Sequence, residues 1–352
     1  MSDLVFTFTQ TGGLPVHSAA GTGCLEVVKY LLDVQPDTIS VKNEAGDLPV
    51  HSAAKTGCLE VVKYLLDVQP DMVSVRNTRG ELPVHRAARS RHLEVLKYLL
   101  DLQPDMISVK CHAGDLPVHS AAETGRLEVV KYLLDVQPDM VSVKNTRGEL
   151  PVHRAARSRH LEVLKYLLDL QPDMISVKCH NGDLPVHRAV ANGHLEVIKY
   201  LLDLQPDTIS VKNNNGDLPV HRAVANGHLE VIKYLLDLQP DTISVKNNAG
   251  DLPVHSAADA GCLEVVKYLL DVQPDMVSVK NTRGELPVHR AARSRHLEVL
   301  KYLLDLQPDM ISVKCHNGDL PVHRAVANGH LEVIKYLLDL QPDTISVKNN
   351  VS

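Results

Sequence analysis

The residues with chemical potential recur at a fixed interval. Histidine follows Leu-Pro-Val at His17, His51, His85, His119, His153, His187, His221, His255, His289 and His323, each 34 residues after the last. A row of imidazoles invites a metal or acid–base reading, because imidazole binds zinc and titrates near neutrality. A metal needs its ligands within one small volume, and a 34-residue interval spreads them apart. The reading this spacing supports is structural: each histidine is the third residue of a short helix, bonds the backbone of the neighbouring turn and locks a stack. Cys111-His112, Cys179-His180 and Cys315-His316 suggest thiol–imidazole or metal pairs. Adjacent residues in an extended segment point to opposite faces, and other copies carry asparagine there rather than further ligands. Ser18 beside His17 makes no nucleophile–base pair, since neighbours on a helix do not face each other. Neither a nucleotide-binding glycine loop nor a nucleophile elbow is present. The expectation is a non-enzyme with no catalytic residue, cofactor or metal.

Charge gives the sharper lead. Arg86, Arg89 and Arg91 recur as Arg154, Arg157 and Arg159 and as Arg290, Arg293 and Arg295, three cations where a first helix stops. Arg91 and its equivalents stand where other copies have glycine, in a helix stop expected to be left-handed, where a β-carbon costs up to about 1 kcal/mol. Residues 80–113 hold five basic and four acidic side chains, against three and four in 182–215. These guanidinium forks suit an acidic protein, peptide or phosphorylated segment; the alternative is a solvated loop. Around them lie Arg188 and Arg222, each following its histidine, and the tip residues Arg79, His112, Arg147, Asn214, Asn215 and Arg283. These positions differ between copies while the apolar ones hardly do. A binding face on a fixed scaffold gives that contrast, and so does drift on an unconstrained surface.

The elements that must position these groups can be read from one copy, residues 182–215. Pro185 suits a first helical turn, and nothing from Val186 to Ala191 breaks a helix, so a helix is predicted over 185–191. Asn192-Gly193 offers a left-handed stop. Leu195, Ile198 and Leu202 at helical spacing predict a second helix over 195–203, ended by Pro206 through its restriction of Gln205. The 208–212 segment alternates before Asn213-Asn214-Asn215-Gly216 and reads as a hairpin-like loop. A 34-residue helix pair is too small to fold alone, so Ala189, Val190, Leu195, Ile198, Leu201 and Leu202 must pack on adjacent copies. The copies are 12–45, 46–79, 80–113, 114–147, 148–181, 182–215, 216–249, 250–283, 284–317 and 318–351. Stacked, they predict a curved rod on the order of 90–100 Å long.

LPVHRAVANGHLEVIKYLL at 184–202 resembles the ankyrin repeat nearly position by position. The resemblance covers 12–352 and implies an all-α, ankyrin-type helix-turn-helix solenoid with short β-hairpin-like loops. It also implies a groove of hairpin tips and first helices that binds another protein. Two departures stand out. Leucine replaces the family's threonine at Leu14, Leu48, Leu82 and onward, removing a side-chain cap worth about 1 kcal/mol. An acid precedes that leucine in nine copies, as at Asp47 and Glu81, and offsets part of the loss through the helix dipole. Gln-Pro-Asp replaces the usual Gly-Ala-Asp in the loop.

Composition bounds the rest. At 44% hydrophobic and 23% charged the chain is of soluble globular type. Neither a spanning apolar run nor a signal-peptide pattern appears in the sequence, so an intracellular, cytoplasmic location is expected, with no membrane partner. Cys24, Cys58 and Cys262 share one register and Cys111, Cys179 and Cys315 another, both empty in most copies, which excludes a disulfide framework. A net charge of −6 argues against nucleic acid. Residues 114–214 recur at 250–350 with three differences, Glu123/Asp259, Thr124/Ala260 and Arg126/Cys262, the mark of block duplication or construction. Residues 1–11 are expected to form a half-hairpin cap, with Phe6 or Phe8 as a lid. The tenth copy keeps Leu331, Ile334 and Leu338 without a polar cap, which predicts fraying, a covering molecule or further chain. The function expected is a protein-binding scaffold. The alternatives are a self-associating structural array, joined end to end through that tenth copy, and the targeting region of a larger enzyme or effector.

Overall fold

The structure, a computed structural model, describes residues 12–350. The half-hairpin and aromatic lid expected within residues 1–11 lie outside the described residues. Twenty α-helices and no β-strand occur among the described residues, in a repeated order of short helix, ten-residue helix and 3-10 turn. Contacts divide the chain after Met174 into two compact units. In the first, the repeat runs from Pro15–Thr22 and Leu25–Val34 to Pro151–Arg157 and Leu161–Leu170; in the second, from Pro185–Ala191 and Leu195–Leu204 to Pro321–Ala327 and Leu331–Leu340.

Each first helix begins on a proline, whose fixed φ is prearranged for a helix and whose missing N–H would have no partner there anyway. The leucine before it offers no side-chain cap. The histidine two residues after the proline supplies the missing half: Leu48 N–H donates to His51 Nδ1 at 3.2 Å, as Leu150 N–H does to His153 Nδ1. This is the reciprocal arm of a capping box, made with imidazole in place of a glutamate. Glycine closes several of these helices in the left-handed conformation, as at Gly261 with φ 73°. Glycine is needed twice over at that point, because a β-carbon would come within 2.2 Å of His296 in the next repeat.

The second helix extends over Leu195–Leu204, one residue beyond the sequence reading, and stops where Gln205 turns extended (φ −143°, ψ 85°) ahead of Pro206. Beyond it the structure departs from expectation. Pro206–Ser210 is a 3-10 turn, not the start of an alternating strand-like segment. Pro206 begins this turn as the other prolines begin helices, and Thr208 Oγ1 donates to Gln205 O at 2.8 Å to tie its first residues together. The hairpin-like part is reduced to the stretch around Asn213, whose N–H bonds Asp217 O at 3.0 Å.

Within each unit the apolar faces close on adjacent repeats. Ala189, Val190, Ile198, Leu201 and Leu202 are buried, and Leu195 is half-buried at the helix start. Each such large aliphatic residue contributes about 1.5–3 kcal/mol. On the opposite side of the second helices, lysine of one repeat lies over tyrosine of the next, as Lys97 over Tyr132 in the first unit and Lys233 over Tyr268 in the second. Lysines also bridge loops, Lys42 Nζ to Arg76 O in the first unit and Lys212 Nζ to Lys246 O in the second. Among the described residues no helix is long and apolar enough to cross a membrane.

Candidate functional site

The histidine row is built into the backbone. With Nδ1 accepting from the leucine N–H, the ring carries its proton on Nε2; His85 donates it to Asp115 O at 3.3 Å, His119 to Glu149 O at 3.2 Å and His255 to Glu285 O at 3.2 Å, each in the following repeat, whereas His289 and His323 donate within their own repeat, to Val313 O and Val347 O at 3.0 Å. At His85, His119 and His255 one residue therefore caps its own helix and bonds the next repeat. Burial pushes His51, His85, His119, His187 and His289 down from the usual 6.5 to about 4, so these rings are neutral at pH 7. Among the described residues no three histidine, cysteine or acidic side chains are grouped to hold a metal. The cysteine–histidine pairs do not converge: Cys179 is buried with Sγ 3.5 Å from Arg188 Nη2, while His180 faces solvent. Cys315 repeats this with Arg324, at 3.6 Å.

The arginines divide into two populations. Those following the histidine turn inward: Arg154 and Arg290 are buried and Arg86 is mostly covered. Arg154 Nη2 lies 2.7 Å from Asp115, Nη1 3.1 Å from Glu123 and Nε 3.2 Å from Glu149. Arg86 lies 2.6 Å from Asp47 and 3.4 Å from Glu81, and Arg290 pairs with Asp251 and Glu285. Asparagine completes each network, Asn77 Nδ2 donating to Asp47 at 2.8 Å and to Glu81 at 3.2 Å. Burial would raise the Glu81 carboxyl, but Arg86, Asn77 and Arg89 outweigh it and hold the group below its ordinary value. Thus Arg86, Arg154 and Arg290, expected as open forks for a partner, spend their donors on carboxylates of this chain. Half-buried Arg188 is likewise 3.5 Å from Asp183, and Arg222 is half-buried. The acids read as dipole compensation, Asp47 and Glu81 among them, are the other half of these networks. Their signal was an arginine 39 residues after Asp47, Asp115 and Asp251, a separation too long for local pattern reading.

The second population faces outward. Arg79, Arg147 and Arg283 are exposed at hairpin tips, and His112, Asn214 and Asn215 are exposed beside other turns. Asn77 shapes one such tip, its Oδ1 accepting from the N–H of Arg79 and of Glu81 at 2.9 Å each. Arg91, Arg159 and Arg295 are exposed at the first-helix exits. Arg159 and Arg295 adopt φ of 64° and 66°, the only non-glycine residues with positive φ among the described residues. The strain expected at these stops is thus present at two of the three; Arg91 avoids it because its helix ends early, at Ala88. Between the populations lie Arg89, 3.2 Å from Glu81, Arg293, 2.7 Å from Asp259, and half-buried Arg157.

Comparison with known families agrees with this architecture. A model described as ankyrin repeats in many copies matches residues 152–202, 254–304 and 288–338, and one described as ankyrin repeats in three copies matches 4–75, 69–143 and 204–278. No curated protein matches the chain. Repeats of this kind are generally protein–protein interaction modules. Matched over most of its length and built of the same helix pairs throughout, the chain belongs to the ankyrin-repeat family.

Proposed function

We propose that the protein is a non-catalytic scaffold that holds an acidic protein or peptide on its concave face, the face of hairpin tips and first-helix exits. The observation that carries this reading is the exposed arginine pair that brackets each inward arginine: Arg79 and Arg91 around Arg86, Arg147 and Arg159 around Arg154, Arg283 and Arg295 around Arg290. The inward residue fixes one repeat against the previous one, and the outer two present guanidinium groups suited to carboxylate or phosphate. The six cysteines are free thiols, which suits a reducing compartment and a cytoplasmic setting.

The test is capture of a labelled glutamate-rich peptide and its phosphoserine counterpart. Replacing Arg79, Arg147 and Arg283 with glutamate is expected to weaken binding about tenfold or more. Replacing Lys63, Lys131 and Lys267, on the outer side of the second helices, makes the same change in net charge and is expected to leave binding nearly intact. Equal losses in the two variants would mean that net charge alone attracts the peptide and would end the reading.

A further inference from the structure

Residues 216–248 and 318–350 are identical in sequence, yet their apolar faces have opposite fates. In the seventh repeat Val224 is 0% and Ile243 5% exposed, covered by the eighth; in the tenth the same residues, Val326 and Ile345, are 58% and 75% exposed. Leu331 is also exposed. The first repeat shows the complementary deficit: Val27 is 48% exposed where Val265 of the eighth is 2%, and Tyr30 is exposed as well. A contiguous apolar face of this kind marks an interaction surface.

We propose that copies of this chain join head to tail, the tenth repeat of one seating on the first repeat of another as the seventh seats on the eighth within the chain. The internal junction gives the contacts. Ser244 Oγ donates to Gln273 Oε1 at 2.7 Å, Lys246 Nζ donates to Lys280 O at 3.0 Å, and Lys233 lies over the Tyr268 ring at 5.5 Å. All the corresponding groups exist on the two open faces: Ser346, Lys348 and Lys335 on the tenth repeat, Gln35, Lys42 and Tyr30 on the first. Two relevant positions of the first repeat depart from the eighth. Gly13 replaces Asp251, whose carboxylate serves Asn281 and Arg290 rather than the seventh repeat, so nothing is lost across the junction. Glu44 replaces Thr282 and removes one hydroxyl bond to Ala249 O, leaving the apolar contact intact. The interface joins two different surfaces, so each added copy again presents both and association continues past a dimer. This inference is independent of the arginine-lined face.

Sedimentation of the full chain over a wide concentration range tests it. The mass is expected to rise past that of a dimer. Val326→Glu with Leu331→Glu disables one face, and Val27→Glu with Tyr30→Glu the other; all four positions are exposed, and far-UV circular dichroism like that of the wild type checks the fold. Each variant alone is expected to stay monomeric, while an equimolar mixture doubles its mass and stops there. A wild type that is monomeric throughout, a variant that still assembles alone, or a folded mixture that stays monomeric would each overturn the proposal.

Discussion

The third and ninth repeats share every residue over 80–112 and 284–316, yet their helix exits differ. In the ninth, the first helix runs to Arg293, Ser294 caps it and Arg295 is left-handed; in the third it stops at Ala88, with Arg89 as the cap. Neighbours account for the difference. The repeat before the ninth supplies Asp259, 2.7 Å from both Arg293 Nη2 and Ser294 Oγ. The repeat before the third has Lys55 there, which offers Ser90 only its backbone carbonyl. The fifth repeat, with Glu123 beside it, follows the ninth in helix length and in its left-handed Arg159. The expectation is that an acid one repeat away lengthens a first helix over and above its own propensity.

Acid should erase this comparison altogether, with the largest effect of any test. The buried histidines of both repeats resist protonation, with His85 and His289 at about 4 against 6.5 when unfolded. Protons therefore bind the unfolded chain first as pH falls. Stability is complete above pH 6.5 and is lost progressively between 6.5 and 4, by up to about 3 kcal/mol per histidine. Denaturant titrations at pH 7.5 and 5 are expected to show a large drop at the lower value; equal midpoints would mean that these rings are charged in the folded state. The repeats should thus be compared above pH 7.

There the inward arginines come next. Arg154→Ala leaves Asp115, Glu123 and Glu149 without their shared cation and is expected to cost about 3–5 kcal/mol. Arg86→Ala, at a position with two carboxylate partners and more solvent, should cost clearly less. Urea midpoints for the two variants give the ranking, and equality would remove any role for the acid at the helix exit.

What the sequence could and could not reveal follows from the range of each interaction. Proline, glycine and leucine spacing act within one helix, so the 185–191 helix was predicted with its observed bounds, and the second helix to within one residue. The 3-10 turn after Pro206 was missed because an i to i+3 turn of five residues leaves no apolar periodicity. Arg86 and Arg154 looked like exposed forks because their partners, Asp47 for Arg86 and Asp115 for Arg154, lie 39 residues upstream. The left-handed arginines were legible from the glycine they replace; the exception at Arg91 was not, because the neighbours that differ around it, Lys55 and Arg126, lie in other repeats.

Exchanging that residue tests the account directly. Asp259→Lys is expected to destabilise by about 1–2 kcal/mol through loss of the Arg293 and Ser294 contacts, and to shorten the helix. Lys55→Asp should do the reverse in the third repeat, lengthening its helix and gaining up to about 1 kcal/mol. A second neighbour differs as well: Arg126 Nε bonds Arg89 O at 3.0 Å, whereas His330 Nε2 meets Arg293 O at 2.8 Å. If Arg126→His lengthens the third helix and Lys55→Asp does not, the following repeat rather than the preceding one sets the exit. Amide hydrogen exchange at Arg89 and Ser90 reports the outcome.

The smallest effect isolates the backbone. Arg295 has φ 66°, where a β-carbon costs about 1 kcal/mol relative to glycine, while Arg91 is outside that region. Arg295→Gly relieves strain in the folded state but loosens the unfolded chain, and relief dominates where φ is positive. Arg91→Gly has no strain to relieve and only adds unfolded-state entropy. The same change in the same local sequence is therefore expected to raise the urea midpoint at 295 and lower it at 91. Made in the Lys55→Asp background, Arg91→Gly should change sign, because the longer helix pushes residue 91 into the left-handed region. If the sign stays negative in that background, Lys55 does not control the exit and the electrostatic account of the two repeats fails.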